Sequence, residues 1–150
     1  MDLKQTVNKV LEESLDRPYT WKLAANEPIF ILAVFNTKSD KITVRFNKGW
    51  SNGHTNWYVD FEGQYNHDAT GLGDEFRVFA TVIDVMRWFI KEKSPPCFSF
   101  TAEKDPTRSG DSRSKLYDRL IKRFARDIKY KVNSYSGADE KEYEFEANNP

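Results

Sequence analysis

The spacing of apolar residues in the first half of the chain predicts one helix followed by several strands. Apolar residues at every third or fourth position near the N-terminus are typical of an amphipathic helix. Period-two alternation, clearest at Ile42, Val44 and Phe46, predicts strands after it, and one continuous apolar run predicts a strand inside a sheet. The predicted elements are a helix over residues 2–15, strands over 19–23, 29–35, 42–46 and 57–61, a hairpin connection over 36–41 and a loop over 47–56.

The second half of the chain alternates helices with strands. A helix beginning near Asp74 is apolar almost all round, which is typical of a helix packed against a sheet, although its β-branched content leaves a strand as the alternative. Ser94-Pro95-Pro96 ends this element, and Ser112 is a suitable N-cap for a second helix with apolar residues at every fourth position. The remaining predicted elements are a strand over 97–102, that second helix over 112–128 and a closing hairpin over 130–135 and 142–147.

This order of elements predicts a single domain over residues 1–150 in which a sheet is layered with helices, an α/β or mixed α+β fold. The two strand–helix–strand units, over 57–102 and 97–135, each predict parallel neighbouring strands joined by a right-handed crossover.

Composition and charge exclude several classes of protein. Lys and Arg together number 23, as do Asp and Glu, so the chain is not a globally basic nucleic-acid binder. No apolar run is long enough to span a bilayer, and the N-terminus lacks the apolar core of a signal peptide, which predicts a cytoplasmic protein. The chain has a single cysteine, Cys97, which excludes a disulfide within the chain. One cysteine and two histidines, His54 and His67, do not supply the ligands of a structural zinc site, so none is predicted.

The charges are nevertheless unevenly distributed. Residues 108–131 contain nine basic and three acidic residues, whereas residues 132–150 contain five acidic residues and one lysine. One interpretation is a solvated helix face that is partly paired with the acidic tail. The other is a surface that faces phosphate groups, either of a nucleic acid or of a phosphorylated cofactor.

Gly71-Leu72-Gly73, directly before a predicted helix, is the most suggestive local motif. Glycines allow a close approach of the main chain to a phosphate, and the free amides at a helix N-terminus attract anions. A simple turn is the alternative, because the spacings of a Walker loop or a dinucleotide-binding fingerprint are missing.

A second motif is a strand, a polar loop and a helix that carries Leu116-Tyr117, and it resembles the second conserved block of the GNAT N-acyltransferase superfamily. Gly71 and Gly73 match the glycines at which a helix of that family begins, while Asp68 stands where the family has Gln or Arg. The resemblance implies a GNAT-like fold, with a central mixed sheet, an antiparallel N-terminal meander and helices on both faces.

The same resemblance implies an acyl-CoA-dependent N-acetyltransferase with acetyl-CoA as its cofactor. The main chain at Gly71, Leu72 and Gly73 would bind the pyrophosphate, and Arg113 would neutralise the remaining phosphate charge. Tyr117 matches the tyrosine that protonates the departing CoA thiolate. From its sequence context alone, Tyr117 is equally a helix tyrosine packed against the sheet.

Asp60 and Glu62 lie on one face of a predicted strand and are candidates for the general base that accepts a proton from the amine. Solvent exposure on a polar strand face is the alternative for both. His54 and His67 are expected to be surface loop residues, and Cys97 a buried strand residue rather than a nucleophile.

A catalytically inactive GNAT-like module is the competing function. The aromatic residues Trp50, Trp57 and Tyr58 would then form a recognition surface, and the basic segment 108–131 would contact a protein or a nucleic acid. The compact, aromatic-rich chain also resembles small phage-encoded proteins, which implies a location in the host cytoplasm. A third possibility is an assembly role in which an exposed edge strand pairs with a neighbour.

Overall fold

Seven strands and two helices make up the described part of the computed structural model, which covers residues 18–38, 40–51, 54–63, 72–103, 110–137 and 140–148. In chain order the elements are β1 (Trp21–Glu27), β2 (Phe30–Asn36), β3 (Lys41–Ser51), β4 (His54–Gly63), α1 (Leu72–Lys93), β5 (Cys97–Glu103), α2 (Gly110–Ile128), β6 (Tyr130–Ser136) and β7 (Glu140–Ala147). The helix predicted over residues 2–15 lies outside the described residues.

The strands form one mixed sheet in the order β1-β2-β3-β4-β5-β7-β6. Strands β1 to β4 form an antiparallel meander, β4 and β5 are parallel, and the remaining pairs are antiparallel. The predicted mixed α/β architecture is therefore confirmed in this coarse form, as is the parallel pair on either side of α1.

The second predicted parallel pair is wrong, because β5 and β6 are not neighbours. Strand β7 lies between them and pairs antiparallel with both, over seven residues on each side. The physical reason is that β6 and β7 form a hairpin, and the second strand of that hairpin takes the position beside β5.

The loop predicted over 47–56 is also wrong, since β3 and β4 continue pairing as far as Ser51 and His54. A Cβ atom at Gly49 would lie 3.2 Å from Cε2 of Tyr58. Glycine therefore serves here to admit an aromatic ring from the neighbouring strand, and does not mark a turn. The extended hairpin carries Trp50, which is 77% exposed.

The hydrophobic core lies on one face of the sheet, because the alternating side chains of β2 to β5 and β7 direct their apolar members to that side. Both described helices pack there. On α1, the ring of Phe89 lies 4.5 Å from that of Phe46, and on α2, Phe124 lies 5.9 Å from Phe145. Neither described helix covers the second face, so the expectation of helices on both faces is not met by the described residues.

Each helix ends at a residue in the left-handed region, Ser94 with φ 43° and Lys129 with φ 63°. Helix α2 begins at Gly110, so Ser112 lies in its first turn and is not its N-cap. Within the described ranges, neither helix has the length and apolar character needed to cross a membrane.

Candidate functional site

The two halves of the sheet separate at the carboxyl ends of β4 and β5. The two strands pair only where Trp57–Asp60 lie beside Phe98–Thr101. Beyond these residues β4 continues to Gly63 in contact with β3, and β5 continues to Glu103 in contact with β7. We call the ends of the two strands beyond this pairing, residues 61–63 and 102–103, the fork. Because each strand uses only one edge there, the inner edges of the fork present main-chain amide and carbonyl groups that β4 and β5 do not satisfy between them.

Both helices begin beyond the open end of the fork. Strand β4 leads through residues 64–71 into α1, and β5 leads through residues 104–109 into α2. The first N–H groups of a helix have no partner within it and carry the positive end of the helix dipole. In open α/β sheets, ligands bind outside the carboxyl ends of the strands, where connections diverge. Both helix N-termini therefore lie at the same end of the sheet as the fork.

The residues predicted to bind phosphate are only partly within the described region. Leu72 and Gly73 form the start of α1, and Arg113 lies in the first turn of α2. Their predicted role in binding phosphate stays a prediction. Gly71 and Asp68 lie outside the described residues.

An aromatic cluster closes the helix side of the fork. The rings of Phe61 and Phe100, one from each strand, are stacked with their centroids 5.9 Å apart. Phe79 of α1 packs against both. The ring centroid of Tyr117 lies 4.3 Å from that of Phe79, so the ring of Tyr117 packs against the core. Its side chain is also partly exposed. Its predicted role as a proton donor stays a prediction.

Asp60 and Glu62 lie on the opposite face of the sheet, because they flank the core residue Phe61 on the same strand. Arg45 of β3 binds both carboxylates: its Nε donates to Oδ1 of Asp60 at 2.7 Å and its Nη1 to Oε1 of Glu62 at 3.0 Å. The hydrogen bond to Asp60 is the main reason that the pKa of Arg45 is raised. Both carboxylates remain accessible, with 43% and 59% of their side chains exposed.

The structure thus brings Asp60 and Glu62 together and separates them from Tyr117 by the thickness of the sheet. Asp60 is the last residue of β4 that pairs with β5, and Glu62 follows it inside the fork. The carboxylates therefore lie on one face of the sheet at the fork, and Tyr117 lies on the other face, within the aromatic cluster.

A polar network beside Tyr117 was not predicted from the sequence. The hydroxyl of Tyr143 donates to Oδ1 of Asp118 at 2.7 Å, and Nζ of Lys141 lies 2.6 Å from the same oxygen. Burial, followed by the hydrogen bond to Asp118, raises the pKa of Tyr143 far above its ordinary value. The network ties the fork end of β7 to the turn of α2 that holds Tyr117. Its only sequence signal is an acidic residue directly after Tyr117 and a Lys-x-Tyr pattern in the last strand.

Cys97 lies at the amino end of β5, away from the open end of the fork. Burial raises the pKa of its thiol, and Glu146 and Glu144 raise it further. Cys97 is a strand residue, as predicted, but it is partly exposed and not buried. A thiol with a raised pKa is a poor nucleophile near neutral pH. His54 is the first residue of β4 and not a loop residue, while His67 lies outside the described residues. The described residues contain no group of histidine, cysteine and carboxylate side chains that could hold a metal ion.

The three aromatic residues considered as a recognition surface do not lie together. Trp57 is buried against Phe89 at 5.2 Å, and Tyr58 points to the opposite face of the sheet. Only Trp50, near the hairpin tip, is strongly exposed.

The basic segment is more clearly a surface. Arg119, Lys122 and Arg126 of α2 are exposed, and none of them forms an ion pair with an acidic residue of the described region. The predicted pairing of this segment with the acidic tail is therefore not seen for these three residues.

Comparison with known proteins supplies no relative: no protein-family model matches the chain, and no curated protein matches it.

Proposed function

We propose that the chain is a GNAT-like domain that binds an acyl-CoA in the fork and transfers the acyl group to an amine. The observation that carries the proposal is the separation of two parallel strands at the end where both helices begin. The order of a meander, a helix, a strand, a helix and two closing strands supports it as well, because this is the order that the resemblance to the GNAT superfamily implies.

Each part of the fork suits one part of such a ligand. The first N–H groups of α1 and α2 have no partner within their own helix, attract negative charge and would hold the pyrophosphate. The pantetheine arm is an extended chain with amide groups, and it would hydrogen-bond the main-chain groups of residues 61–63 and 102–103 that β4 and β5 do not use to pair with each other. The aromatic cluster excludes water from the helix side.

The acyl group arrives as a thioester that an amine can attack. The amine nitrogen forms a bond to the carbonyl carbon, the carbon–sulfur bond breaks, and the electron pair leaves on sulfur. In this proposal Asp60 or Glu62 accepts the proton lost by the amine, and Tyr117 protonates the departing thiolate. Arg45 holds both carboxylates in ion pairs, so the acceptor amine has to displace Arg45 in part before either carboxylate accepts the proton.

Binding is tested by calorimetry and by thermal shift with acetyl-CoA. We expect heat of binding and a raised melting temperature. Tyr117→Phe is expected to retain binding and to slow transfer to a small amine, because only the proton donor is lost. Tyr135→Phe, an exposed tyrosine on β6, is the matched control and is expected to change neither.

Asp68→Gln provides the second arm of this test. The resemblance implies that position 68 is next to the pyrophosphate, where an acidic residue would weaken binding, so its replacement by the residue type of the family is expected to tighten it. The absence of both heat and thermal shift, in the natural chain and in Asp68→Gln, contradicts acyl-CoA binding.

A binding module that contacts a protein or a nucleic acid is the second candidate function. The exposed basic residues of α2 favour it, since they are not neutralised by described neighbours. A nucleic-acid partner would be bound with an affinity that falls steeply with salt, and Lys122→Glu with Arg126→Glu would weaken that binding.

A further inference from the structure

Strand β7 carries a row of glutamates on the sheet face that neither described helix covers. Tyr143 and Phe145 belong to the core, so the residues that alternate with them lie on the opposite face. These residues, which we call the glutamate row, are Glu142, Glu144 and Glu146. Glu146 is exposed and the other two are partly exposed. None of the three forms an ion pair within the described part of the chain.

The neighbouring strands supply little positive charge to this row. The residues beside Glu142 and Glu144 on β5 and β6 are uncharged: they are Ser99, Thr101, Asn133 and Tyr135. Glu146 lies opposite a basic residue, Lys131. Like charges at alternate positions of one strand repel each other, so the glutamate row favours a basic partner.

The exposed basic residues of α2 lie on the other side of the same strand. Phe124 packs against Phe145, so this helix covers β7 on the core face of the sheet. Helical spacing places Arg119, Lys122 and Arg126, which we call the basic row, opposite the buried residues of α2. These three residues therefore point away from the sheet. The chain thus presents a basic row on one side of β7 and an acidic row on the other.

The two rows match each other in charge and in length. From Arg119 to Arg126 the helix rises about 10 Å, at about 1.5 Å per residue. From Glu142 to Glu146 the strand extends about 13 Å, at about 3.3 Å per residue. Basic and acidic residues are equal in number over the whole chain, so net charge does not oppose the association of identical copies. A second copy of the chain therefore supplies the charge that each row lacks.

The positions of the two rows also determine the symmetry of such an association. Because the rows lie on opposite sides of the sheet, a two-fold axis would pair each row with itself, and like charges oppose that arrangement. A head-to-tail arrangement places the basic row of one copy on the glutamate row of the next. Such an interface continues from copy to copy unless it closes into a ring.

We propose that copies of this chain associate head to tail, with the basic row of α2 in one copy seated on the glutamate row of β7 in the next. Opposite charges supply the orientation and the selectivity of the contact. The inference rests on the second candidate function, because it names the protein that the basic residues of α2 contact. It is independent of acyl-CoA binding.

Association of the natural chain is measured by analytical ultracentrifugation at low salt, at concentrations up to about 1 mM, a range that includes weak contacts. The average mass is expected to rise with concentration beyond that of a dimer. It is expected to return to that of the monomer at about 1 M salt, where the screening length is about 3 Å.

Charge reversal tests whether the two rows contact each other. Lys122→Glu with Arg126→Glu makes the basic row acidic, and Glu142→Lys with Glu144→Lys makes the glutamate row basic. Each variant alone is expected to associate at least about tenfold more weakly, because two attractions become repulsions. An equimolar mixture of the two variants is expected to recover association, because each row of one variant then meets a row of opposite charge on the other. This recovery also requires both variants to be folded.

Matched controls reverse the same number of exposed charges outside both rows. Lys91→Glu with Lys93→Glu, at the end of α1, is the control for the basic row. Glu27→Lys with Glu92→Lys, at the ends of β1 and α1, is the control for the glutamate row. Each control is expected to change association by less than about twofold.

A mixture of the two variants that stays monomeric while the natural chain associates would overturn the pairing of these rows. A dimer that does not grow with concentration would overturn the head-to-tail arrangement. A natural chain that is monomeric throughout, yet binds an oligonucleotide that Lys122→Glu with Arg126→Glu releases, would overturn self-association and leave the second candidate function intact. A monomer that binds no oligonucleotide would overturn the inference together with the basic row as a surface for a second copy or a nucleic acid.

Discussion

Truncation of two adjacent residues in α2 distinguishes the two sides on which this helix packs. Leu120 is 2% exposed and lines the cavity of about 160 Å³ against α1, whereas Ile121 is 0% exposed and belongs to the core without lining that cavity. Removal of a buried aliphatic side chain costs about 2–5 kcal/mol, and the cost rises by about 24 cal/mol for each Å³ of cavity that remains.

Because the space next to Leu120 is already open, Leu120→Ala is expected to cost about 2–3 kcal/mol, in the lower part of that range. Ile121→Ala leaves an enclosed space and is expected to cost about 3–5 kcal/mol. The difference in helix propensity between the two changes is below about 0.5 kcal/mol and does not reverse the order. Both values are measured by urea denaturation followed by far-UV circular dichroism, with the slope of the transition checked for constancy.

The reasoning is refuted if Leu120→Ala costs less than about 0.5 kcal/mol, which is typical of a surface position. It is equally refuted if Leu120→Ala is clearly more costly than Ile121→Ala, since the open cavity then has no effect on packing.

Three further predictions follow from the electrostatics. Because the pKa of Tyr143 is raised in the native state, the unfolded chain loses the phenol proton above about pH 10, the ordinary pKa of tyrosine, while the native chain keeps it. The free energy of unfolding therefore falls as the pH rises above this value. Tyr143→Phe is expected to make that fall less steep, as measured by urea titrations at several pH values. Burial and acidic neighbours raise the pKa of Cys97, so its alkylation by iodoacetamide is expected to be slower than that of a free cysteine, and Glu146→Gln is expected to accelerate it; equal rates would contradict the assignment. Arg45→Met is expected to lower the free energy of unfolding by less than about 1 kcal/mol, because the side chains of its ion pairs are each more than about a third exposed. A loss several times larger would show that these ion pairs are shielded from solvent.

Strand β3 was predicted correctly because alternation alone decides which of its sides is buried. Ile42, Val44 and Phe46 alternate with polar residues and are all fully or nearly buried in β3. The loop predicted just after them failed because glycine and polar residues are also compatible with a strand. Gly49 is part of β3 through its pairing with Asn56, and the ring of Tyr58 lies where a side chain at Gly49 would point, a contact that the local sequence does not encode.

The fork could be anticipated only in part. The sequence predicted a strand followed by a helix on both of its sides, but where β4 and β5 stop pairing depends on the pairing of each with its outer neighbour. The network around Asp118 could not be anticipated either, because its partners Lys141 and Tyr143 lie 23 and 25 residues after Asp118 in the sequence. Only the return of β7 beside β5 brings them together, and that return was not predicted.

The most direct test of the central claim is a titration of isotope-labelled protein with acetyl-CoA, followed by the amide resonances in two-dimensional NMR spectra. Binding in the fork predicts that the largest shift changes occur at residues 61–63 and 102–103 and in the first turns of α1 and α2, while β1 and β6 are unaffected. Shift changes confined to another surface, such as the end of the sheet near Cys97, or the absence of any change, would contradict the fork as an acyl-CoA site.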